Sequence, residues 1–250
     1  GCNFKCRFCD NWVISQAKEI EGEPLSPEEI VSLAKSRGCR SISYTYTEPT
    51  VFFEYAFETA KLAKKQGIFN TFVTNGFITP EAIGTISPYL DAATVDFKGS
   101  GDAAFYRAFC GAPDSSPVFD ALLEMKRRKI FIEVTNLIVP GGGDLADPFK
   151  KLTRWICGEL GEDTPYHILR FFPSYMCSED ESVPPDAMGA FLHWARDGGL
   201  RHVYAGNMAG SEFENTICPS CGKVAIERHG FEVTSIRLKK NACAHCGNPL

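Results

Sequence analysis

Three cysteines at the start of the chain have the spacing C-x3-C-x2-C: Cys2, Cys6 and Cys9. Three thiolates this close in sequence can bind three iron corners of one 4Fe–4S cube, and the fourth iron is then open to a further ligand. A closed structural zinc site needs four ligands, so zinc binding here would require a distant fourth cysteine. A 4Fe–4S cluster with one open iron is therefore the preferred interpretation. The three cysteines are the predicted catalytic residues.

Four more cysteines form two C-x2-C pairs near the end of the chain, Cys218 with Cys221 and Cys243 with Cys246. Two such pairs are the pattern of a zinc ribbon, in which four thiolates surround one zinc ion. A second iron–sulfur cluster is the alternative, because four thiolates suit either metal. The segment is too short to fold on a hydrophobic core alone, so we expect a structural zinc ion to stabilise it.

Between the two cysteine groups, apolar segments of strand length alternate with segments that begin like helices. Ser26-Pro27-Glu28-Glu29, for example, combines an N-cap, a proline at the first helical position and a capping-box glutamate. This alternation indicates βαβ units and a parallel sheet. The predicted strands are Ser41–Tyr46, Phe69–Thr74, Ala92–Phe97, Ile130–Val139, Tyr166–Phe172 and Arg201–Ala205.

The pattern predicts an α/β fold: a partial (β/α)6 TIM-like barrel over residues 1–212, followed by a small zinc-ribbon-like module over residues 213–250. Such a barrel needs a strand ahead of its first helix, so we expect the first strand to lie in a segment that precedes Gly1. Within the module, the residues Gly230–Leu238 are predicted to form a strand.

The composition excludes several classes of function. The formal net charge is −5, and basic residues are scattered apart from the run Lys126–Lys129, so no surface for a nucleic acid backbone is indicated. No apolar run reaches the roughly 20 residues that a membrane-spanning helix needs. Cysteines grouped as metal ligands, rather than spaced as a disulfide framework, favour a reducing cytoplasm. We therefore expect a cytoplasmic protein that binds neither nucleic acid nor membrane.

The cysteine motif, with Phe8 before its last cysteine, resembles the radical S-adenosylmethionine (SAM) superfamily. Further segments are similar to the AmmeMemoRadiSam-system radical SAM family, which itself resembles pyruvate formate-lyase activating enzymes. They are Tyr44–Pro49, Thr74–Gly76, Asp96–Lys98, Val139–Gly141, His167–Phe171, Gly206-Asn207 and Asn215–Pro219. The resemblance extends over essentially the whole chain.

This resemblance implies an enzyme whose cluster, reduced by a donor such as flavodoxin or ferredoxin, cleaves SAM to methionine and a 5′-deoxyadenosyl radical. The radical then removes hydrogen from a substrate that the sequence does not identify. One candidate is a glycyl group on a partner protein, as in glycyl-radical enzyme activation. Another is a modification that serves Memo-like and AMMECR-like proteins. The alternative outside enzymology is a metal-binding scaffold of the Memo/AMMECR-like system in which both cysteine groups are structural.

The resemblance also implies that polar residues at the strand ends bind the cofactor: Glu48, Asn75, Asp96, Lys98, Asn136 and Arg170. In this scheme Glu48 contacts the SAM amino group, Lys98 its carboxylate, and Asp96 the ammonium or the ribose hydroxyls. The alternatives are a helix N-terminal acid for Glu48 and an ion pair at the barrel rim for Asp96 and Lys98.

Three other positions bear on the comparison with the activating enzymes. His167 is either a functional group or a hydrogen-bonded core residue. Val73 replaces an aspartate with which the activating enzymes help to hold a monovalent cation, and Thr135 replaces one of their arginines. A monovalent cation site and the substrate role of that arginine are therefore not expected here.

Overall fold

The computed structural model describes residues 1–19 and 22–250 of the chain. Its central strands are β1 (Ser41–Tyr44), β2 (Phe69–Thr74), β3 (Ala92–Lys98), β4 (Phe131–Ile138), β5 (Tyr166–Arg170) and β6 (Val203–Gly206). The helices are α1 (Trp12–Ser15), α2 (Pro27–Ser36), α3 (Phe53–Lys65), α4 (Pro80–Ile86), α5 (Ala103–Phe105), α6 (Ser116–Arg127), α7 (Ala146–Trp155) and α8 (Pro185–Asp197).

The six strands form one sheet in chain order, and β1 with β2, β2 with β3, β4 with β5, and β5 with β6 are paired in parallel. Each lies within two residues of its predicted bounds. This is the predicted α/β fold, a partial TIM-like barrel. No helix among the described residues is long and apolar enough to cross a membrane.

The chain divides into two compact units. The first consists of Gly1–Phe97, Gly101–Glu133 and Pro173–Glu179, and the second of Lys98–Ser100, Val134–Phe172 and Asp180–Leu250. The first unit contains the N-terminal cysteine loop, and the second contains the cysteine-rich module.

In the first unit, local sequence signals define where helices begin. Ser26 and Glu29 form the predicted capping box: the Glu29 amide donates to Ser26 Oγ at 3.2 Å, and the Ser26 amide donates to Glu29 Oε2 at 2.7 Å. Apolar residues of α2 and α3, including Val31 and Ala63, are buried together. Burying this apolar face holds the helices beside the sheet.

In the second unit, large apolar side chains fill the space between strands and helices. Phe149 of α7 lies 6.0 Å from Tyr166 of β5 and 4.9 Å from Phe191 of α8, measured between ring centroids. All three side chains are buried. Tyr166 therefore points towards the helices, and His167, the next residue along β5, points to the opposite face of the sheet.

The C-terminal module is built from short antiparallel strands. Three form one sheet, β7 (Thr216–Ile217), β8 (Val224–His229) and β9 (Glu232–Ile236), and two form another, β10 (Leu238–Lys239) and β11 (Ala242–Cys243). The strand predicted over Gly230–Leu238 corresponds to β9. Its antiparallel partner β8 is not among the predicted strands, although it begins with three consecutive apolar residues, Val224–Ile226.

Candidate functional site

The N-terminal cysteine loop is fixed by the residues between its cysteines. The Phe4 ring is buried and makes edge contacts with Phe77 and Tyr106, at centroid distances of 5.2 and 5.8 Å. The Lys5 amide donates to the carbonyl oxygen of Cys110 at 2.8 Å. The loop has no helix or strand of its own before α1, so these contacts determine its course.

The second half of the loop is anchored in the same way. The Arg7 amide donates to the carbonyl oxygen of Phe109 at 2.9 Å. Phe8 is buried, with its ring 5.8 Å from that of Phe105. Phe8 therefore supports the loop from the apolar side, next to the position of Cys9.

The loop sulfurs lie close enough to influence one another. Partial burial raises the pKa of the Cys2 thiol, and the nearby Glu48, Cys6 and Cys9 raise it further, against a lowering hydrogen bond from the Phe4 amide. Neighbouring thiolates beside a carboxylate repel each other unless a positive group lies between them. A cationic iron–sulfur core fits this donor set.

Glu48 lies beyond the end of β1 and is only 2% exposed. Its Oε1 accepts hydrogen bonds from Thr74 Oγ1 and Thr50 Oγ1, both at 2.7 Å, and from the Thr50 amide at 3.1 Å. Its Oε2 accepts from the Asn75 amide at 2.8 Å. These donors satisfy the charge of the buried carboxylate, and Oε2 keeps room for one further donor.

Asn75 follows β2 and connects that strand end to the cysteine loop. Its Nδ2 is 2.7 Å from Asn3 Oδ1 and 3.6 Å from Cys2 Sγ. Asn3 in turn donates through Nδ2 to the carbonyl oxygen of Phe77 at 2.9 Å. The structure thus brings two of the predicted site residues, Glu48 and Asn75, together with Cys2.

Asp96 and Lys98 share one face of β3, as their alternation with Phe97 predicts. Val95 and Phe97 on the other face are fully buried, and the Phe97 ring lies 4.9 Å from that of Phe119 in α6. Asp96 and Lys98 are half-buried and therefore point away from this helix. Both polar groups occupy the carboxyl end of the strand, where the resemblance places the cofactor.

Asn136 of β4 is completely buried and belongs to an internal network. Its Nδ2 donates to Ser100 Oγ and to Tyr166 Oη, both at 3.0 Å, and its Oδ1 accepts from the Ser100 amide at 2.9 Å. These three bonds use both amide hydrogens. A cofactor contact through Nδ2 would therefore have to replace one of its two bonds, whereas Oδ1 can accept one further hydrogen bond.

Arg170, the last residue of β5, is half-buried. Its Nε donates to the carbonyl oxygen of Val183 at 2.6 Å, and its guanidinium carbon lies 5.1 Å from the centroid of the Phe172 ring. Asn207 Nδ2 donates to the carbonyl oxygen of Arg170 at 2.9 Å. The side chain therefore stays beside the segment that follows its own strand.

The four cysteines of the module converge on one point. The ligand atoms of Cys218, Cys221, Cys243 and Cys246 all lie within 4.8 Å of one another. Among residues 1–19 and 22–250, these four cysteines are the group of potential ligands whose atoms lie close enough together to hold a single metal ion. The N-terminal cysteines are not so tightly spaced, as suits ligands that each bind a different iron.

Electrostatics also favours a cation at this point. Burial opposes ionisation of Cys218, yet hydrogen bonds from the amides of Cys221 and Ser220 and from neighbouring sulfurs lower its pKa to about 7. The pKa of Cys221 rises to about 11: the Lys223 amide lowers it, but burial and the other three cysteines raise it more. The raised pKa of Cys221 is what close sulfurs produce where no positive charge separates them, and the four residues therefore fit a metal ion.

The module is attached to the sheet through β6. Tyr204 Oη lies 3.1 Å from Thr216 Oγ1, and Arg228 Nη1 donates to the same hydroxyl at 2.8 Å. The Tyr204 ring also stacks on His167, at a centroid distance of 5.0 Å. Of these residues, His167 is a candidate from the sequence, whereas no motif marks Tyr204 or Arg228.

Comparison with known proteins identifies the family of the chain. The Radical SAM superfamily model matches residues 1–156. The uncharacterized protein MJ0808 of Methanocaldococcus jannaschii is 40% identical over 254 residues, which cover 100% of this chain and 75% of that protein. A second uncharacterized protein of the same organism, MJ0674, is 30% identical over 72% of this chain and 54% of its own length.

Two solved structures share the fold. A domain of pyruvate-formate lyase-activating enzyme from Bacteroides vulgatus superposes with a TM-score of 0.58 at 12% identity, covering 67% of this chain and 99% of that one. Streptococcus suis SuiB bound to S-adenosylmethionine superposes with a TM-score of 0.64 at 11% identity, covering 82% of this chain and 48% of that one.

Proposed function

Since the chain belongs to the radical SAM superfamily, we propose that Cys2, Cys6 and Cys9 bind a 4Fe–4S cluster whose open iron takes the amino and carboxylate groups of SAM. Such a cluster, once reduced, supplies the electron that splits SAM into methionine and a 5′-deoxyadenosyl radical. The observation that carries the proposal is the placement of the buried Glu48 carboxylate beside Cys2, where strand ends meet the cysteine loop.

The chain's own residues bind and orient the cofactor in this scheme. Glu48 accepts a hydrogen bond from the SAM amino group through Oε2, while Thr50 and Thr74 hold Oε1 in place. Lys98 binds the SAM carboxylate, and Asp96 binds the ribose hydroxyls or the amino group, from the face of β3 that points away from α6. A fixed orientation of SAM is what directs the radical to one hydrogen atom of the substrate.

The four-cysteine group of the module is proposed to bind a structural zinc ion, because its sulfurs converge on one point. Zinc has no redox chemistry, so its contribution there is to folding. A second iron–sulfur cluster is the alternative for the same four ligands. The cysteines of both metal sites stay reduced, and do not form disulfides, in a reducing compartment. A cytoplasmic location is therefore part of the proposal.

The partners proposed are a one-electron donor of the flavodoxin or ferredoxin type and a substrate that is itself a protein. Resemblance of the sequence to activating enzymes supports a glycyl group as the source of hydrogen. A modification that serves Memo-like and AMMECR-like proteins is the other candidate.

Metal analysis of protein purified without oxygen tests this function. Wild type should contain about four irons and about one zinc per chain. With dithionite and SAM it should form 5′-deoxyadenosine and methionine even without substrate, and a Cys6→Ala variant should not. Colourless wild type that carries zinc at both cysteine groups would reject the proposal in favour of a metal-binding scaffold.

A further inference from the structure

A pair of asparagines joins the cysteine loop to the end of β2. Asn75 Nδ2 approaches both Asn3 Oδ1, at 2.7 Å, and Cys2 Sγ, at 3.6 Å. The distance to sulfur is suitable for an N–H···S hydrogen bond, since sulfur is larger than oxygen. Cys2 Sγ accepts a second N–H from the Phe4 amide at 3.4 Å. Two donors of the protein are thus directed at one predicted cluster ligand.

The orientation of the Asn75 amide is determined by its neighbours. Its Oδ1 accepts a hydrogen bond from the Phe77 amide at 2.8 Å, so the side-chain N–H groups must face the loop. Its backbone amide donates to Glu48 Oε2 at 2.8 Å. The residue is only 7% exposed. With backbone and side chain both held, the amide has no other arrangement that keeps these bonds.

We propose that Asn75 is a positioning residue for the iron–sulfur cluster, which acts through its hydrogen bond to Cys2 and does not contact SAM. This inference rests on the proposed function. It replaces the direct cofactor contact that the sequence resemblance implies for Asn75. Hydrogen bonds to a metal ligand orient that ligand and adjust the reduction potential of the metal centre.

The expected effect is on the reduction potential of the cluster. An N–H donated to a ligand sulfur stabilises the more negative, reduced cluster, so it raises the potential. The Glu48 carboxylate acts in the opposite direction, because its negative charge lies near the same sulfur. The backbone amide of Asn75 therefore binds Glu48, while its side chain offsets the lowering of the reduction potential by the Glu48 charge.

A redox titration of the SAM-free enzyme, followed by electron paramagnetic resonance, tests the proposal. In Asn75→Ala the ratio of reduced to oxidised cluster at a fixed solution potential should fall about two- to tenfold, the value of one hydrogen bond. Asn75→Asp should lower this ratio further, because it adds a negative charge. That variant keeps the acceptor for the Phe77 amide and so preserves the turn.

Asn70→Ala is the matched control. Asn70 is a fully buried asparagine at the other end of β2, where it bonds to Tyr44, Ala60 and Tyr89. Its removal should lower the free energy of unfolding and leave the potential unchanged. An unchanged potential in both Asn75 variants, or weaker SAM binding in Asn75→Ala without any change in potential, would overturn the proposal. Wild type without iron would refute the proposed function itself, which is a different result.

Discussion

Thr74 Oγ1 donates a hydrogen bond of 2.7 Å to Glu48 Oε1, and this bond joins the end of β2 to the acid that follows β1. The same hydroxyl accepts from the Gly76 amide at 3.0 Å. A buried carboxylate is tolerated only where enough donors surround it. Thr74 therefore has two tasks, to satisfy the charge of Glu48 and to fix the turn that carries Asn75.

The first prediction concerns this hydroxyl. Thr74→Val keeps the shape of the side chain and removes the donor, so it should lower the free energy of unfolding by about 1–3 kcal/mol in urea titrations. Thr71→Val in the same strand is the control, because the Thr71 hydroxyl bonds to that of Ser43, at 2.8 Å, near the surface. An equal loss of unfolding free energy in the two variants would show that the bond to Glu48 stabilises the protein no more than a surface hydrogen bond does.

The second prediction concerns the cluster ligands. Replacement of Cys2, Cys6 or Cys9 by Ala should abolish the brown chromophore and reduce iron from about four atoms per chain to near zero, because each thiolate is proposed to bind one iron of the cube. Zinc in the module should remain. Cys39→Ala, at an exposed cysteine outside both groups, should keep all its iron. Full iron retention in a Cys6→Ala variant would exclude the assigned ligand set.

The third prediction concerns Lys98. Lys98→Met removes the charge proposed to meet the SAM carboxylate, and the dissociation constant for SAM should rise about tenfold or more. Equilibrium binding to the reconstituted enzyme measures this. Lys65→Met is a suitable control, since Lys65 is exposed at the end of α3. If SAM binds to both variants as it does to wild type, Lys98 has no role in cofactor binding.

The fourth prediction concerns the metal of the module. The double variant Cys243→Ala, Cys246→Ala should lose about one zinc, keep its iron and become less soluble, because metal binding supplies much of the folding energy of so small a module. Metal affinity in wild type should also weaken more steeply as the pH falls below about 7, because the Cys218 thiol then becomes protonated in addition to that of Cys221. About eight irons and no zinc in wild type would identify a second cluster instead.

The strands and the cysteine groups could be predicted because each depends on a local pattern. The β2 bounds Phe69–Thr74 agree with the prediction, since a short segment of aromatic and β-branched residues ends at a Thr-Asn-Gly turn. The contact between Asn75 and Cys2 could not be predicted, because the two residues are 73 positions apart and no pattern records their approach.

Asn136 shows a different limit of sequence reasoning. Its position in β4 is compatible with a side chain on either face of the sheet, and only the packing of Tyr166 and Ser100 shows that it is used internally. The attachment of the module through Tyr204 and Arg228 likewise depends on tertiary packing. Such contacts follow from the folded arrangement and not from residue spacing.

The last prediction concerns Gly76, which follows Asn75 and has a φ of 71°. An added Cβ would lie 2.7 Å from Val95 Cγ1 and 2.8 Å from Val118 Cγ1, so alanine cannot fit without displacing buried side chains. Gly67 has a nearly identical φ of 72°, but a Cβ added there would meet nothing within 4 Å, so Gly67→Ala carries only the backbone cost of about 1 kcal/mol. Gly76→Ala should cost about 1–3 kcal/mol more than Gly67→Ala in urea unfolding.

Gly76→Ala should also shift the cluster potential in the same direction as Asn75→Ala, because the displaced turn carries the amide away from Cys2. Equal stability losses in the two variants would mean that the packing of Val95 and Val118 does not hold the turn in place.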